Sequence, residues 1–281
     1  MIAFALLTFR ELARRKFVLT ALIATAVLIA LTGWGFSYIA HSRHHGSVPT
    51  RMELAVVSAN LVILLAYLFS FIVAMLAVFV AAPSLANDIE SGVLLPVAAR
   101  PISRASILGG RTLALGIVVC GYVALASMAE FLVVRAATGY FPPHPALAAG
   151  YLSLIALVML SLATLAASKL PGIAAGIVCV VCFGLAWMGG IAQTLGTYFE
   201  NDVITHFGTI TQLLIPSDAM WRCAAYQLEP LALIERMSGE HVWSGPFFVA
   251  NPPPAALVVW TLCWIAAIYA AASRSFALRD L

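Results

Sequence analysis

Charge is what this chain has least of. Only 10% of its 281 residues are charged, while 63% are hydrophobic. Soluble domains run closer to a quarter charged and half apolar. A water-soluble fold of this length would lack the polar material to cover its surface, so that class is excluded and a multi-span membrane protein remains. The formal net charge of +3 is too small to argue for a nucleic-acid partner. Disulfide chemistry has little to work with. Cys120, Cys179, Cys182 and Cys263 lie in apolar runs, where cysteine acts as a small hydrophobe. Cys223 stands alone in a polar stretch. Cys179 and Cys182 form a CxxC, but with no histidine or carboxylate near it. No disulfide framework is readable.

Several signatures of catalysis are missing as well. The chain has no GxxxxGK[ST] loop to cradle ATP phosphates, no HExxH and no GxSxG. "GGRT" has glycines and a hydroxyl but neither the lysine nor the spacing. No enzyme activity, metal or cofactor is expected in this chain. Alternation of polar and apolar residues over about ten positions, the mark of a membrane β-strand, is absent too.

What is present is six long apolar runs: residues 17–39, 57–82, 113–134, 146–167, 173–192 and 255–272. About twenty such residues cross a bilayer as a helix. The expected fold is therefore an all-α polytopic membrane protein. The run after Lys16 is too long for a signal-peptide core, so it is expected to be a retained first span. Placing the N-terminus in the cytoplasm puts Arg10, Arg14, Arg15, Lys16, Arg100, Arg104, Arg111, Lys169, Arg274 and Arg279 inside. Arg43, Arg51, Arg135, Arg222 and Arg236 fall outside. That bias predicts both termini in the cytoplasm.

The polar connections are uneven. "HSRHHGSVPTRME" reads as a solvated loop despite His41, His44 and His45. "RAATGYFPPHP" reads as a tight turn, and "SKLP" as the bend of a close hairpin. Residues 194–254 form the one substantial extracytoplasmic loop, net acidic and carrying short helices. Within it "PSDAMWRCAAYQLEP" predicts a helix with Ser217 as N-cap, Asp218 in its first turn and Pro230 as its stop. Met220, Trp221, Ala224, Ala225 and Leu228 would be the apolar face of a helix lying over the outer ends of the spans. Trp221, Tyr226 and Trp243 suit the membrane interface.

Inside the spans, Glu130 is the intramembrane polar candidate. It forms either a boundary ion pair with Arg135 or part of a transport path. Lys169 is placed to snorkel, and Asn60 to bond across helices. At the N-terminus, Phe9 among Arg10, Arg14, Arg15 and Lys16 suits an amphipathic helix on the membrane surface, in contact with anionic lipid.

The segment between the second and third runs, residues 84–111, is charged and well punctuated. Asp88 and Glu90 would face the cytoplasm, Gly92 permits a change of direction, and Ser103 is placed to cap the next helix. Its "NDIESGVLLPVAARPISRASILGGR" resembles the cytoplasmic loop of type-2 ABC transporter permeases. There an acidic residue and a glycine precede a leucine pair, an Arg-Pro-x-Ser-Arg run and a Gly-Lys/Arg. The matching positions are Glu90, Gly92, Leu94, Leu95, Arg100, Pro101, Ser103, Arg104, Gly109 and Arg111. "FRELARRK" resembles that family's connecting helix, and "SRSFALRDL" its C-terminal tail. "PSDAMWR" is more faintly similar to the copper-enzyme-maturation permeases. Val93 and Pro96 depart from the pattern.

The resemblance implies the transmembrane subunit of an ABC exporter in a bacterial cytoplasmic membrane. Two such permeases pair, as a homodimer or with a paralogue, on two copies of a separate ATPase that binds ATP and Mg. It implies a coupling helix at Asn87, Asp88, Ile89, Glu90, Ser91 and Gly92, with Arg100, Pro101 and Arg104 supporting the loop. Two alternatives stand beside it. One is a membrane subunit that transmits ATPase motion to an extracytoplasmic partner protein. The other is an ion-coupled secondary transporter with Glu130 as its coupling residue.

Overall fold

The computed structural model describes residues 16–41, 51–90, 104–230, 249 and 252–278. Among them are eight helices: α1 Lys16–His41, α2 Arg51–Glu90, α3 Arg104–Thr138, α4 Pro145–Ala167, α5 Gly172–Tyr198, α6 Asp202–Leu214, α7 Ser217–Leu228 and α8 Ala255–Ala277. No strand occurs among the described residues. All but α6 and α7 are long and apolar enough to cross a membrane, giving the six crossings read from the sequence. In lipid every backbone group must be satisfied within its own segment, which is why long apolar runs settle as helices.

α4 occupies the middle, packing against α2, α3, α5, α7 and α8. Its small and branched side chains explain this. Ala148, Leu152, Ile155, Met159 and Ala163 are buried on one face, and Val158, Leu160, Ser161 and Thr164 are buried on the others, so nearly every side of the helix is covered. α1 and α8 lie at the periphery and are mostly exposed.

Two of the spans overshoot the bilayer. α2 has 40 residues and α3 has 35, about 60 and 50 Å at 1.5 Å per residue. α2 runs through Pro83 and continues past its apolar part, which ends at Ser84, to Glu90. The run of 57–82 thus underestimates the helix at both ends, because charged residues continue a helix that has left the lipid. At this end of the bundle, Arg111 Nε of α3 donates to Ser84 Oγ of α2 at 2.7 Å, tying the two projecting stems together.

At the opposite end the chain turns back on itself. α5 ends in a Schellman-type cap. Asn201 N–H donates to the Gly196 carbonyl at 2.8 Å, Glu200 N–H to Thr197 at 3.4 Å, and Glu200 takes the left-handed φ of 51°. The Asn201 side chain then caps α6, accepting from Val203 and Ile204 N–H. α6 runs back antiparallel along α5. The close approach depends on glycine: a Cβ on Gly196 would sit 2.5 Å from Thr205 N, and one on Gly189 would collide with the Thr211 side chain. Gly189 and Gly196 are two turns apart on one face, a small-residue contact of the kind that lets membrane helices touch backbone to backbone.

α7 then climbs back between α2, α4, α5 and α6. Its first turn faces Tyr67, Ile155 and Phe183, residues well inside α2, α4 and α5, around a small pocket of about 10 Å³. That is room for about one water. The α6–α7 pair is a re-entrant hairpin.

This revises the sequence reading of residues 194–254. The helix foreseen in "PSDAMWRCAAYQL" is present at Ser217–Leu228, but it does not lie over the outer ends of the spans. Asp218 and Cys223 are buried as completely as the apolar face. Trp221 is 3% exposed, enclosed in the bundle rather than at an interface. A backbone turn can enter a membrane when protein surrounds it; here α2, α4 and α5 do so. Ser217 is not the N-cap either. Pro216 takes that place, its carbonyl accepting from Met220 N–H at 3.2 Å, and Ser217 is the first helical residue. Trp243 lies outside the described residues.

Candidate functional site

The tip of the re-entrant hairpin holds the densest polar cluster among the described residues. α7 has Asp218 and Arg222 one turn apart, so both point to the same side of that helix. Arg222 Nε donates to Asp218 Oδ2 at 2.9 Å. Its Nη2 donates to the Gly190 carbonyl and to Thr194 Oγ1, the latter at 2.9 Å. Gln212 Nε2, from the last turn of α6, donates to Asp218 Oδ2 at 3.0 Å and to Gln193 Oε1 at 2.6 Å. Gln193 Nε2 completes the chain by donating to Thr209 Oγ1 at 3.2 Å. One charge pair and two amides thus join α5, α6 and α7.

Gly190 is the reason the carboxylate fits. A Cβ there would overlap the Asp218 carboxylate. The missing side chain leaves a slot in α5, and its bare carbonyl is available to the guanidinium. Burial pushes the Asp218 carboxyl upward from the ordinary range, while the charge and hydrogen bond of Arg222 and the amide of Gln212 pull it back down. A buried charge is tolerated when paired and hydrogen-bonded, and this cluster meets both conditions. Around it are Tyr67 of α2 and Trp187 of α5, stacked at 5.7 Å between ring centroids, with Trp221 edge-on to Tyr67 at 4.7 Å. A rigid aromatic collar and a charge clamp hold the hairpin tip inside the bundle.

The hairpin's exit is fixed separately. Tyr140, in the turn after α3, donates its hydroxyl to the Leu228 carbonyl, and His144 N–H donates to the Gln227 carbonyl at 3.3 Å. Both carbonyls belong to the last turn of α7, which has no intrahelical donors for them.

The residues singled out in sequence fall as follows. Asn87, Asp88, Ile89 and Glu90 form the end of α2, in the stem beyond Ser84. Ser91, Gly92, Arg100 and Pro101 lie outside the described residues, and Arg104 opens α3, one residue after the cap expected at Ser103. Phe9, Arg10, Arg14 and Arg15 also lie outside them, and Lys16 is the first residue of α1. His41 ends α1 with its ring on the Ser37 carbonyl at 2.7 Å. His44 and His45 are not described.

Two expectations are corrected. Glu130 does not pair with Arg135: five residues turn a helix by about 140°, so the two leave α3 on different sides. Arg135 lies over the Phe141 ring at 5.1 Å. Glu130 is 4% exposed, and its Oε1 has no hydrogen-bond partner among the described residues. Ser127, one turn earlier, is buried with its hydroxyl in the same condition. Asn60 is exposed on α2 and forms no interhelical bond among the described residues. Its position near the end of an apolar run lets its amide reach the interface instead.

The Asp218–Arg222 clamp was missed because both residues were counted as loop charges. The signal was there: an acid and a base at i,i+4 inside an apolar helix pattern, with an adjacent Gly-Gly in the preceding span. No protein-family model matches the chain, and no curated protein matches it.

Proposed function

We propose that the chain is the transmembrane permease subunit of an ABC transporter, an exporter driven by a separate ATPase. The observation that best supports this is the α2–α3 stem. Two helices overshoot the lipid on one side, are joined by Arg111 and Ser84, and flank the segment whose sequence resembles a coupling loop. A short elbow on paired stiff helices transmits rigid-body motion of a partner into the spans. In this reading Asn87, Asp88, Ile89, Glu90, Ser91 and Gly92 seat in the ATPase, with Arg100, Pro101 and Arg104 shaping the loop. The stem side is cytoplasmic, and a second permease copy completes the pore. ATP and Mg are bound by the ATPase. On the same side an apolar groove of about 450 Å³ opens between α2 and α5, lined by Phe79, Pro83, Gly172, Gly176 and Val180. Its lining suits a hydrophobic cargo.

The test is co-purification followed by coupling. The chain should bring down an ATP-hydrolysing subunit. E90A combined with G92P should leave that subunit bound and hydrolysing ATP while transport in proteoliposomes stops. A chain that transports with no ATPase present would overturn the assignment.

A second reading, an ion-coupled transporter, has one observation in its favour: the buried oxygen of Glu130, which has no hydrogen-bond partner among the described residues. Transport driven by an ion gradient alone, abolished by E130Q, would select it.

A further inference from the structure

α7 starts deep inside the bundle, and no side chain among the described residues caps its start. Pro216 stands at the N-cap and offers no side-chain acceptor. The first N–H groups of a helix have no intrahelical acceptor. Here they belong to Ser217, Asp218 and Ala219, which are all buried, so bulk water does not serve them. The Ser217 hydroxyl shares the problem: its Oγ is buried with no hydrogen-bond partner among the described residues.

Ser217 and Asp218 both line the small pocket in front of that first turn. Ser70 of α2 lines it from another wall. Its hydroxyl donates to the Tyr67 carbonyl at 2.7 Å, which leaves the lone pairs of Oγ able to accept. Ser70 and Ile155, which also lines the pocket, fall near the middle of the apolar stretches Leu54–Ser84 and Pro145–Ala167. The pocket therefore lies near mid-bilayer depth, where an unmet polar group is most costly.

Size and charge decide what fits. A volume of about 10 Å³ takes one molecule of water size, which excludes organic ligands and oxyanions. A metal cation would find a single carboxylate, already paired with Arg222 at 2.9 Å, so its charge would stay uncompensated in a low-dielectric site. A halide would stand beside that same carboxylate and be repelled by it. A neutral molecule that both donates and accepts satisfies every polar wall.

We propose that one ordered water occupies this pocket and serves as the cap that Pro216 cannot provide. The water accepts from the first turn of α7, through the Ser217 hydroxyl or the free N–H groups, and donates to Ser70 Oγ and the Asp218 carboxylate. Three polar partners is the usual number for a buried water. It ties the tip of the re-entrant hairpin to the middle of α2. The inference does not rest on the transport reading, because the start of α7 needs a partner whatever the chain moves.

X-ray hydroxyl-radical footprinting of the full chain in nanodiscs, read by mass spectrometry, tests this. Radicals formed from a bound water oxidise the side chains beside it even where bulk solvent is excluded. Trp221 lines the pocket and is 3% exposed. Phe276 is 1% exposed, does not line the pocket, and is the reference. After correction for intrinsic reactivity, Trp221 should be oxidised at least about fivefold faster than Phe276 if a buried water touches its site. S217V replaces the hydroxyl with methyl groups that fill the space, and should bring the two rates within about twofold. S70V fills it from the other wall and should do the same. Equal rates in the wild type would show a dry pocket and overturn the proposal. Unchanged labelling in either variant, with wild-type circular dichroism, would also overturn it. A cation as occupant would appear as a wild-type unfolding midpoint that shifts when N-methylglucamine replaces sodium at constant ionic strength, with the shift absent in S217V; that outcome too would overturn it.

Discussion

Replacing Arg222 with methionine isolates the charge clamp of the hairpin tip. The stem keeps its length and apolar bulk, and the guanidinium is lost. Asp218, 7% exposed, then retains only the Gln212 amide at 3.0 Å among the described residues; the Thr194 hydroxyl loses the guanidinium as donor, and the Gly190 carbonyl keeps only the Thr194 hydroxyl, at 3.2 Å, as a side-chain donor. Hydrogen bonds between membrane helices average about 0.6 kcal/mol, so two of them account for about 1 kcal/mol. Stranding a buried charge costs about 3–5 kcal/mol, so the unpaired carboxylate decides the outcome. R222M should therefore lose about 4 kcal/mol of stability. Without the guanidinium that pulls it down, Asp218 stays protonated to higher pH, so the loss should shrink as pH falls. Removing both charges in D218L/R222M should recover most of it, leaving about 1–2 kcal/mol for the unpaired Gln212 amide and imperfect packing. The assay is reversible unfolding in mixed micelles, followed by far-UV circular dichroism and by the fluorescence of Trp187 and Trp221 beside the site. An R222M loss below 1 kcal/mol would refute the reasoning. So would a double variant as unstable as the two single variants added together.

Two further predictions follow from the packing. G196A places a Cβ 2.5 Å from Thr205 N, a backbone atom that cannot swing aside. It should cost about 1–3 kcal/mol and loosen α6 from α5, read as faster hydrogen exchange in residues 202–214 with α2–α4 unchanged. E130Q keeps the shape of Glu130 and gives its unpartnered oxygen no charge to bury. Under the permease reading, ATP-driven transport should stay within about twofold of wild type. A loss of tenfold or more would move Glu130 into the transport path.

The membrane class and the six crossings were legible because hydropathy is a local property, and 20-residue apolar runs have one stable form in lipid. The ends were less so. α2 and α3 outrun their apolar segments because a helix continues into water through charged residues such as Asp88 and Glu90, which hydropathy does not mark as helix; at α3 it was the capping residue Ser103, not hydropathy, that marked the start. The re-entrant hairpin escaped because α6 and α7 are each too short to span, and short amphipathic helices read as surface helices. What makes α7 an interior helix is nonlocal: a slot at Gly190, a collar from Tyr67 and Trp187, and a neighbour in Gln212. Glu130 and Arg135 show the same limit. Proximity in sequence suggested a pair, while helical phase separates them and a ring from the next turn takes the arginine.

The place of α4 at the centre has a consequence in time. The chain is made in order, and α4 is the fourth of the six crossings. When it enters the membrane, α2 and α3 are already there to receive it. α5 and the returning hairpin follow, and the charge clamp can form only once both stand beside one another. α8 joins last, on the outside, against a bundle that is otherwise complete. The arrangement lets a buried ion pair be assembled late, within a space already walled by protein, so that Asp218 and Arg222 need never face lipid alone.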